Sequence, residues 1–195
     1  MKVLVIANSA GGAGKSTSAH CISVAASEYG KKVLVIDADP SGGLTFACGI
    51  ENPRVSTKEF LSGKFSLDAS TIKSGERFSI IASSSRLLAL DIDQAISQAK
   101  LTELLENFDL VIIDTPTGVS RITTYFMAIA NLILVPSTTE ILSLRGALNS
   151  KDYAQSAGHS GQLQLLITKT TQELDEEFKS LIGDIAERRV GFAGA

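Results

Sequence analysis

The stretch KVLVIANSAGGAGKST, residues 2–17, decides how the rest of the chain is interpreted. Residues 2–7 form a short apolar run rich in β-branched side chains, which favours a buried strand. Residues 8–14 are small and glycine-rich, and Lys15 opens a predicted helix. In such a strand–loop–helix unit, successive backbone N–H groups point inward and the helix N-terminus adds positive partial charge. The sequence therefore predicts a loop that can cradle a phosphate.

The residue types at the end of this loop predict what it binds. Lys15 can place a point charge at the β- and γ-phosphates of a nucleotide, and the Ser16 hydroxyl can bind Mg²⁺. The alternative is a glycine turn between a strand and a helix that binds no ligand. The predicted phosphate-binding set is Gly11, Gly12, Ala13, Gly14, Lys15, Ser16 and Thr17.

Two carboxylates follow the second apolar run, residues 33–36, as Asp37 and Asp39. A strand, a helix and a strand this close together predict a right-handed parallel crossover, which brings the carboxyl ends of both strands to one edge of a sheet. The acids are then expected near the phosphates. The alternative is that they only cap a helix around residues 44–48.

A third acid ends the run FDLVIID, residues 108–114. The unbroken apolar run indicates a strand buried on both faces, and the acid at its end is typical of a Walker B motif, which binds Mg²⁺ directly or through water. Ser16 and Asp114 are therefore the predicted metal ligands.

The remaining pattern predicts an α/β fold of the P-loop NTPase type, with a mostly parallel, doubly wound sheet flanked by helices. A single domain over residues 1–195 is the simplest organisation at this length. The predicted further strands are residues 78–82, 132–135 and 163–168, and the predicted helices are residues 16–29, 87–99, 101–107, 119–129, 142–157 and 173–189.

Composition limits the class of protein. Hydrophobic residues make up 44% of the chain and charged residues 20%, as in ordinary globular proteins. The net charge of −3 argues against indiscriminate binding to nucleic acid. Because no apolar run is long enough for a transmembrane segment or a signal-peptide core, we expect a cytoplasmic protein.

The loop sequence GGAGKST, residues 11–17, resembles the deviant Walker A motif of the ParA/MinD family of ATPases. Residues 37–40 (DADP) and 114–118 (DTPTG) are similar to the two switch segments of that family, and the resemblance covers roughly residues 1–169. The family's signature lysine, which in relatives reaches the nucleotide of the partner subunit, is replaced here by Ala10.

This resemblance implies a Mg²⁺-dependent site for ATP or ADP. Lys15 and Asp39 are the implied catalytic residues, the first on the phosphates and the second on the attacking water. Pro136 is implied to lie near the base, and Thr168 and Lys169 occupy a base-side position that matches the family poorly.

The resemblance also implies a biological role. Relatives form ATP-dependent homodimers, are stimulated by a ParB-like partner protein, and segregate or position cargo such as plasmid or chromosome DNA. Whether DNA is bound stays open here, since Arg188 and Arg189 either contact DNA or end a solvated helix. Relatives continue with a further basic segment, so this sequence is either a minimal version or a shortened one.

Loss of the signature lysine predicts weak ATP hydrolysis, stimulated by a partner, unless Arg121 or a partner protein supplies a substitute charge. The alternative function is a nucleotide-dependent binding module or regulator with negligible turnover. A biosynthetic or cluster-assembly relative is a third reading; the two cysteines, Cys21 and Cys48, lack a CxxC spacing, which argues against cluster assembly.

Overall fold

The computed structural model describes residues 2–90, 104, 106–169 and 191–192. Within these ranges the chain forms one sheet with strand order β3-β4-β2-β5-β1-β6-β7-β8. All neighbouring strands are parallel except β3 and β4, which are antiparallel. The strands are β1 (Val3–Ile6), β2 (Val33–Asp37), β3 (Ile72–Lys73), β4 (Ser79–Ile81), β5 (Leu110–Asp114), β6 (Leu132–Ser137), β7 (Gln162–Ile167) and β8 (Gly191–Phe192).

Helices connect most of the parallel strands along the chain, which confirms the predicted α/β fold of the P-loop NTPase type with a mostly parallel sheet. The helices are α1 (Lys15–Glu28), α2 (Gly43–Ala47), α3 (Thr57–Leu61), α4 (Leu67–Ser70), α5 (Arg121–Ile129) and α6 (Ile141–Ser156), together with a 3₁₀ helix at Ser85–Ala89. None of the helices in the described ranges is long and apolar enough to cross a membrane.

The core is divided between the two faces of the sheet. In β1, Val3 and Val5 belong to one buried cluster, whereas Leu4 and Ile6 belong to the other. This alternation follows from the period of two residues along a strand. Because both faces are covered, the strands have the continuous apolar sequences from which they were predicted.

The structure differs from the sequence prediction at short elements. The two-residue strands β3 and β8 were not predicted, because two residues are too few to show a periodicity. The helix predicted from residue 87 is instead a 3₁₀ helix at Ser85–Ala89, and residues 91–103 lie outside the described residues. The predicted helix 173–189, with Arg188 and Arg189, also lies outside them.

Strand β1 occupies the middle of the sheet between β5 and β6. Strands β2 to β5 lie on one side of β1, and strands β6 to β8 lie on the other. Ligands of open parallel sheets bind where the chain changes sides in this way, beyond the carboxyl ends of the strands. The loop of residues 8–14 follows β1 directly and therefore starts at this position.

Helix α6 lies unusually close to that loop because it carries a glycine there. A Cβ atom built on Gly146 would be 2.7 Å from both the backbone nitrogen and the Cβ of Ala10, and would also meet Oδ1 of Asn8. Gly146 thus permits direct contact between the helix backbone and the loop.

We expect Gly146→Ala to lower the free energy of unfolding by about 1–2 kcal/mol, because displacement of the loop outweighs the gain of about 1 kcal/mol in helix propensity. Asn149→Ala, at an exposed position of the same helix, is the matched control and should leave stability unchanged or slightly raised. Denaturant unfolding measures both. A Gly146→Ala variant as stable as the parent protein would show that the contact is not tight.

Candidate functional site

The phosphate loop and two of the predicted acids lie at the same edge of the sheet. In the register of neighbouring strands, Ile6 of β1 is opposite Asp114 of β5, and Asp114 is opposite Asp37 of β2. The predicted convergence of the strand ends is therefore observed. Gly43, at the start of α2, is also close, since a Cβ built on it would be 4.0 Å from the Ser16 hydroxyl oxygen.

The first half of the phosphate loop is bound to α6 and β6 by buried polar contacts. The Asn8 side chain donates to the carbonyl oxygen of Pro136 at 2.7 Å and accepts from the Ala10 N–H at 2.8 Å. The Ser9 N–H donates to the Ser150 hydroxyl at 3.0 Å. The carbonyl of Pro136, a predicted base-side residue, is thus bonded to the loop, and the Pro136 side chain is buried within β6.

The second half of the loop is bound by the residues that follow β7. The Thr168 hydroxyl donates to the carbonyl oxygen of Ala13 at 2.8 Å, and Lys169 Nζ donates to the carbonyl oxygen of Gly12 at 2.6 Å. The Thr168 methyl group would lie 3.6 Å from a Cβ on Gly14. The sequence predicts only a position near the nucleotide base for Thr168 and Lys169. In the structure both side chains also bind the backbone of the phosphate loop.

Gly12 and Gly14 give the loop its curvature, with φ angles of 72° and 93°. These left-handed conformations are strained for residues with a side chain. Gly14 is also the N-cap of α1, so Lys15, Ser16 and Thr17 form the first turn of that helix.

Lys15 is enclosed at this turn, with 6% of its surface exposed. Its ammonium group donates to the carbonyl oxygen of Ala10 at 3.2 Å. Burial lowers the pKa of Lys15, whereas the nearby carboxylates of Asp114 and Asp39 act in the opposite direction. The cation is therefore positioned between the loop backbone and two acids.

Asp114 is the most unusual side chain of the site. It is fully buried, and neither carboxylate oxygen has a hydrogen-bond partner in the part of the chain that the structure describes. Burial raises the pKa of Asp114 to about 7, and the Asp37 carboxylate raises it further. The Ser16 hydroxyl is close enough to oppose this shift, but it does not meet the geometry of a hydrogen bond to the carboxylate. A buried carboxylate without a partner is costly, and a divalent cation is the partner that carboxylate and hydroxyl oxygens favour. The donor set of Ser16 and Asp114 therefore fits the predicted Mg²⁺.

Asp37 has a different environment from Asp114. Its carboxylate accepts from the N–H of Thr45 at 2.9 Å, from the Thr45 hydroxyl at 2.6 Å and from the N–H of Asp39 at 3.0 Å. Burial raises the pKa of Asp37 to about 6, and the Thr45 hydrogen bonds oppose this shift. The alternative that the acids after β2 cap a helix therefore fits Asp37, whose carboxylate accepts hydrogen bonds from the first turn of α2.

Asp39 is partly exposed and accepts from the N–H of Ser41 at 2.8 Å. Its carboxylate remains close enough to Lys15 to influence the pKa of that lysine. Of Asp37 and Asp39, only Asp39 is therefore open to solvent near the phosphate loop.

Residues 114–118, which resemble the second switch of the ParA/MinD family, contact the loop and the strand before it. The Gly118 N–H donates to the carbonyl oxygen of Ser9 at 3.0 Å, and the Thr115 hydroxyl donates to the carbonyl oxygen of Ile6 at 2.9 Å. Arg121 is exposed at the first residue of α5 and lines a surface cavity there with Tyr125 and Ala157.

Sequence analysis missed the residues that hold the loop in place. Asn8, Ser9, Gly146 and Ser150 are common residue types, and no spacing relates positions 8–10 to α6. Only their proximity in the folded chain identifies them.

The pKa of Asp114 predicts a pH dependence of stability. Because its folded value of about 7 exceeds its ordinary value of 3.8, the folded protein binds more protons between these two pH values, and stability falls as the pH rises from about 4 to 7. Asp37 acts in the same direction up to about pH 6. Without divalent metal, we expect Asp114→Asn to be more stable than the parent at pH 8 by about 1–4 kcal/mol, and similar to it at pH 4.

Denaturant unfolding at a series of pH values, with a chelator present, tests this expectation. Asp152→Asn, an exposed acid of α6, is the matched control and should follow the parent curve. Parallel curves for the parent and Asp114→Asn would show that Asp114 is not the group responsible.

Comparison with known proteins relates the whole site to a family. The model of a family described as an AAA domain matches residues 1–158. An uncharacterized ATP-binding protein of Methanocaldococcus jannaschii is 32% identical over 160 residues, covering 80% of this chain and 60% of that protein. The chromosome-partitioning ATPase Soj of Thermus thermophilus is 30% identical over 145 residues, covering 73% of this chain and 57% of Soj. The chain spans between 49% and 60% of the length of these and similar curated relatives.

Solved structures share the fold over nearly the entire chain. McdA of Cyanothece has a TM-score of 0.83 at 23% identity, covering 98% of this chain and 84% of McdA, and a variant of McdA was solved as an ATP complex. Cobyrinic acid a,c-diamide synthase of Mycobacterium smegmatis, with bound ADP and magnesium, has a TM-score of 0.77 at 26% identity, covering 96% of this chain and 82% of the synthase. With the family model matching most of its length, the chain belongs to the AAA-domain family of ParA/MinD-like ATPases, related to Soj.

Proposed function

We propose that this protein binds Mg²⁺-ATP, hydrolyses it slowly and dimerises when ATP is bound, in the service of segregating or positioning a cargo such as plasmid or chromosome DNA. The observation that carries the nucleotide site is the buried carboxylate of Asp114, which lacks a partner among the described residues beside Lys15 and Ser16. The role in segregation is supported by the similarity to Soj, a chromosome-partitioning ATPase.

Each part of the site has a role in this proposal. The backbone N–H groups of residues 11–17 bind the β-phosphate, and Lys15 stabilises negative charge on the β- and γ-phosphates. Ser16 and Asp114 hold Mg²⁺, which neutralises phosphate charge as it develops. Asp39, the acid open toward solvent, orients the attacking water. Burial of Lys15 strengthens its interaction with phosphate, because little water screens it.

The dimer is supported by exposed aliphatic side chains around the loop. Val119, which directly follows residues 114–118, is 52% exposed, and Ile141 and Leu142 at the start of α6 are each 70% exposed. Their segments contact the loop at Ser9 and at Ala10. We name Val119, Ile141 and Leu142 with the exposed loop residues Gly11 and Gly12 the loop face. An apolar surface beside a charged site is typical of an interface, and a second copy can cover it by two-fold symmetry.

Slow turnover is proposed because residue 10 is Ala, where the resemblance to the ParA/MinD family implies a lysine. A charge supplied by a partner subunit or protein contributes about 10³-fold or more to phosphoryl transfer in comparable enzymes. A partner protein of the ParB kind is the proposed source of stimulation.

The second candidate function is a binding module in which ATP or ADP switches affinity for a partner with negligible turnover. Ala10 is the observation that favours it. Light scattering with ATP, with ADP and without nucleotide, run beside a phosphate-release assay with and without DNA, separates the two candidates. ATP-dependent dimers that release no phosphate under any condition would support the binding module.

Variants of the site give the sharper test. We expect Lys15→Ala to lose ATP binding by at least about tenfold and to stay monomeric, because the main cation on the phosphates is removed. Asp39→Ala should bind ATP and dimerise, with hydrolysis reduced by about 10²-fold. Lys64→Ala, an exposed lysine in the loop after α3, is the control. Calorimetry with Mg²⁺ that detects no uptake of ATP by the parent protein would overturn the proposal.

The contacts that follow β7 predict a separate effect on affinity. Thr168→Val and Lys169→Met each remove one hydrogen bond to the loop backbone, at Ala13 and Gly12. A net loss of about 1 kcal/mol per bond corresponds to roughly fivefold weaker nucleotide binding. Titration of ATP and ADP measures this loss, with Lys64→Ala again as the control. Unchanged affinity in both variants would mean that the loop keeps its conformation without them.

A further inference from the structure

Arg145 is an exposed cation on α6 that the site described above does not use. Its side chain makes no hydrogen bond or ion pair with any other described residue. Its neighbour in sequence, Gly146, is the residue whose backbone packs against Ala10. Arg145 therefore starts from a backbone position immediately beside the phosphate loop.

The side chains around Arg145 indicate that protein covers this position. Ile141 precedes it by four residues and Leu142 by three, so that all three lie on one side of the helix. Both aliphatic residues are 70% exposed and belong to the loop face. When such a surface is covered, a guanidinium within it loses water and needs an anion in return.

Other cations near the loop already have partners. Lys15 Nζ is bonded to the carbonyl of Ala10, and Lys169 Nζ to the carbonyl of Gly12. Ala10 itself carries no charge. A second cation for the phosphates is therefore best supplied by a neighbouring element.

We propose that Arg145 of one copy binds the terminal phosphate of the ATP held by the phosphate loop of a second copy. This inference rests on the proposed ATP-dependent dimer. In a two-fold interface each contact occurs twice, so α6 of one copy can face the loop of the other while its own loop receives the same contact. The planar guanidinium can donate two parallel hydrogen bonds to phosphate oxygens, and so links dimer formation to the γ-phosphate.

One carboxylate offers a competing partner for Arg145. Glu140 is exposed at the N-cap of α6, and in a two-fold dimer it could form an ion pair with Arg145 of the second copy. That pair would hold the dimer together without any contact to the nucleotide. The variant Glu140→Gln distinguishes the two partners, because it removes this pair and leaves the phosphate contact intact.

The test compares Arg145→Ala, Arg145→Lys and Glu140→Gln with the parent protein. We expect Arg145→Ala to lower turnover by about 10²-fold or more and to weaken ATP-dependent dimerisation. The affinity of the monomer for ADP should change less than about twofold, because no contact within one copy is lost. Arg145→Lys should recover part of the rate, and Glu140→Gln should behave as the parent.

Mixing two inactive variants tests whether the contact crosses the interface. A dimer of Arg145→Ala with Asp39→Ala has one complete site, formed by the loop of the first variant and Arg145 of the second. Random mixing should therefore restore up to about one quarter of the parental turnover. If Arg145 acted on the nucleotide of its own copy, no complete site would form and the mixture would stay inactive.

Three results would overturn the inference. These are an Arg145→Ala variant with parental turnover and dimerisation, a Glu140→Gln variant as impaired as Arg145→Ala, and a mixture that stays inactive. A parent protein that binds ATP but stays monomeric would overturn the proposed dimer and this inference together. A parent that dimerises with ATP, with Arg145→Ala dimerising and hydrolysing ATP equally well, would overturn only the role of Arg145.

Discussion

A buried carboxylate without a hydrogen-bond partner among the described residues is the constraint on which the site depends. Asp114 ends the strand next to β1, in a position from which water is excluded, and its pKa is raised to about 7. A chain that only needed stability would place an apolar residue there. The neighbouring Asp37 shows how the same sheet edge satisfies a structural acid, since Thr45 and the Asp39 N–H bond it. By this contrast Asp37 serves the fold, and Asp114 is the acid that we propose holds Mg²⁺.

The phosphate loop is held from two sides, and this explains how a glycine-rich segment keeps one conformation. Asn8 and Ser9 bind its first half to β6 and α6, and Thr168 and Lys169 bind its second half from the end of β7. Preformed loops of this kind orient N–H groups before a ligand arrives, so less ordering entropy is lost on binding. Small residues at both sides of the contact with α6 let the helix approach the loop directly.

The same helix connects the nucleotide site to the surface. Gly146 and Ser150 of α6 contact the loop, while Ile141 and Leu142 at its start are exposed on the loop face. A change at the phosphates can therefore reach the face that a second copy would cover, through one rigid element. Such coupling requires that ATP interact differently with the monomer and with the proposed dimer. A residue that reaches the γ-phosphate across the dimer interface would provide this difference.

The sequence by itself determined the order of strands and helices, the phosphate loop and the acids at the ends of β2 and β5, because apolar runs, glycine spacing and terminal acids are local patterns. It did not predict β3 or β8, which are too short to show a period. It left open whether Asp37 caps a helix or lies near the phosphates. Only the tertiary structure separated the hydrogen-bonded carboxylate of Asp37 from that of Asp114, which has no partner among the described residues. The contacts of positions 8–10 with α6, and of Gly12 and Ala13 with the end of β7, were likewise decided by tertiary structure. They join residues more than a hundred positions apart, and packing of the two faces of the sheet, rather than any local pattern, brings such residues together.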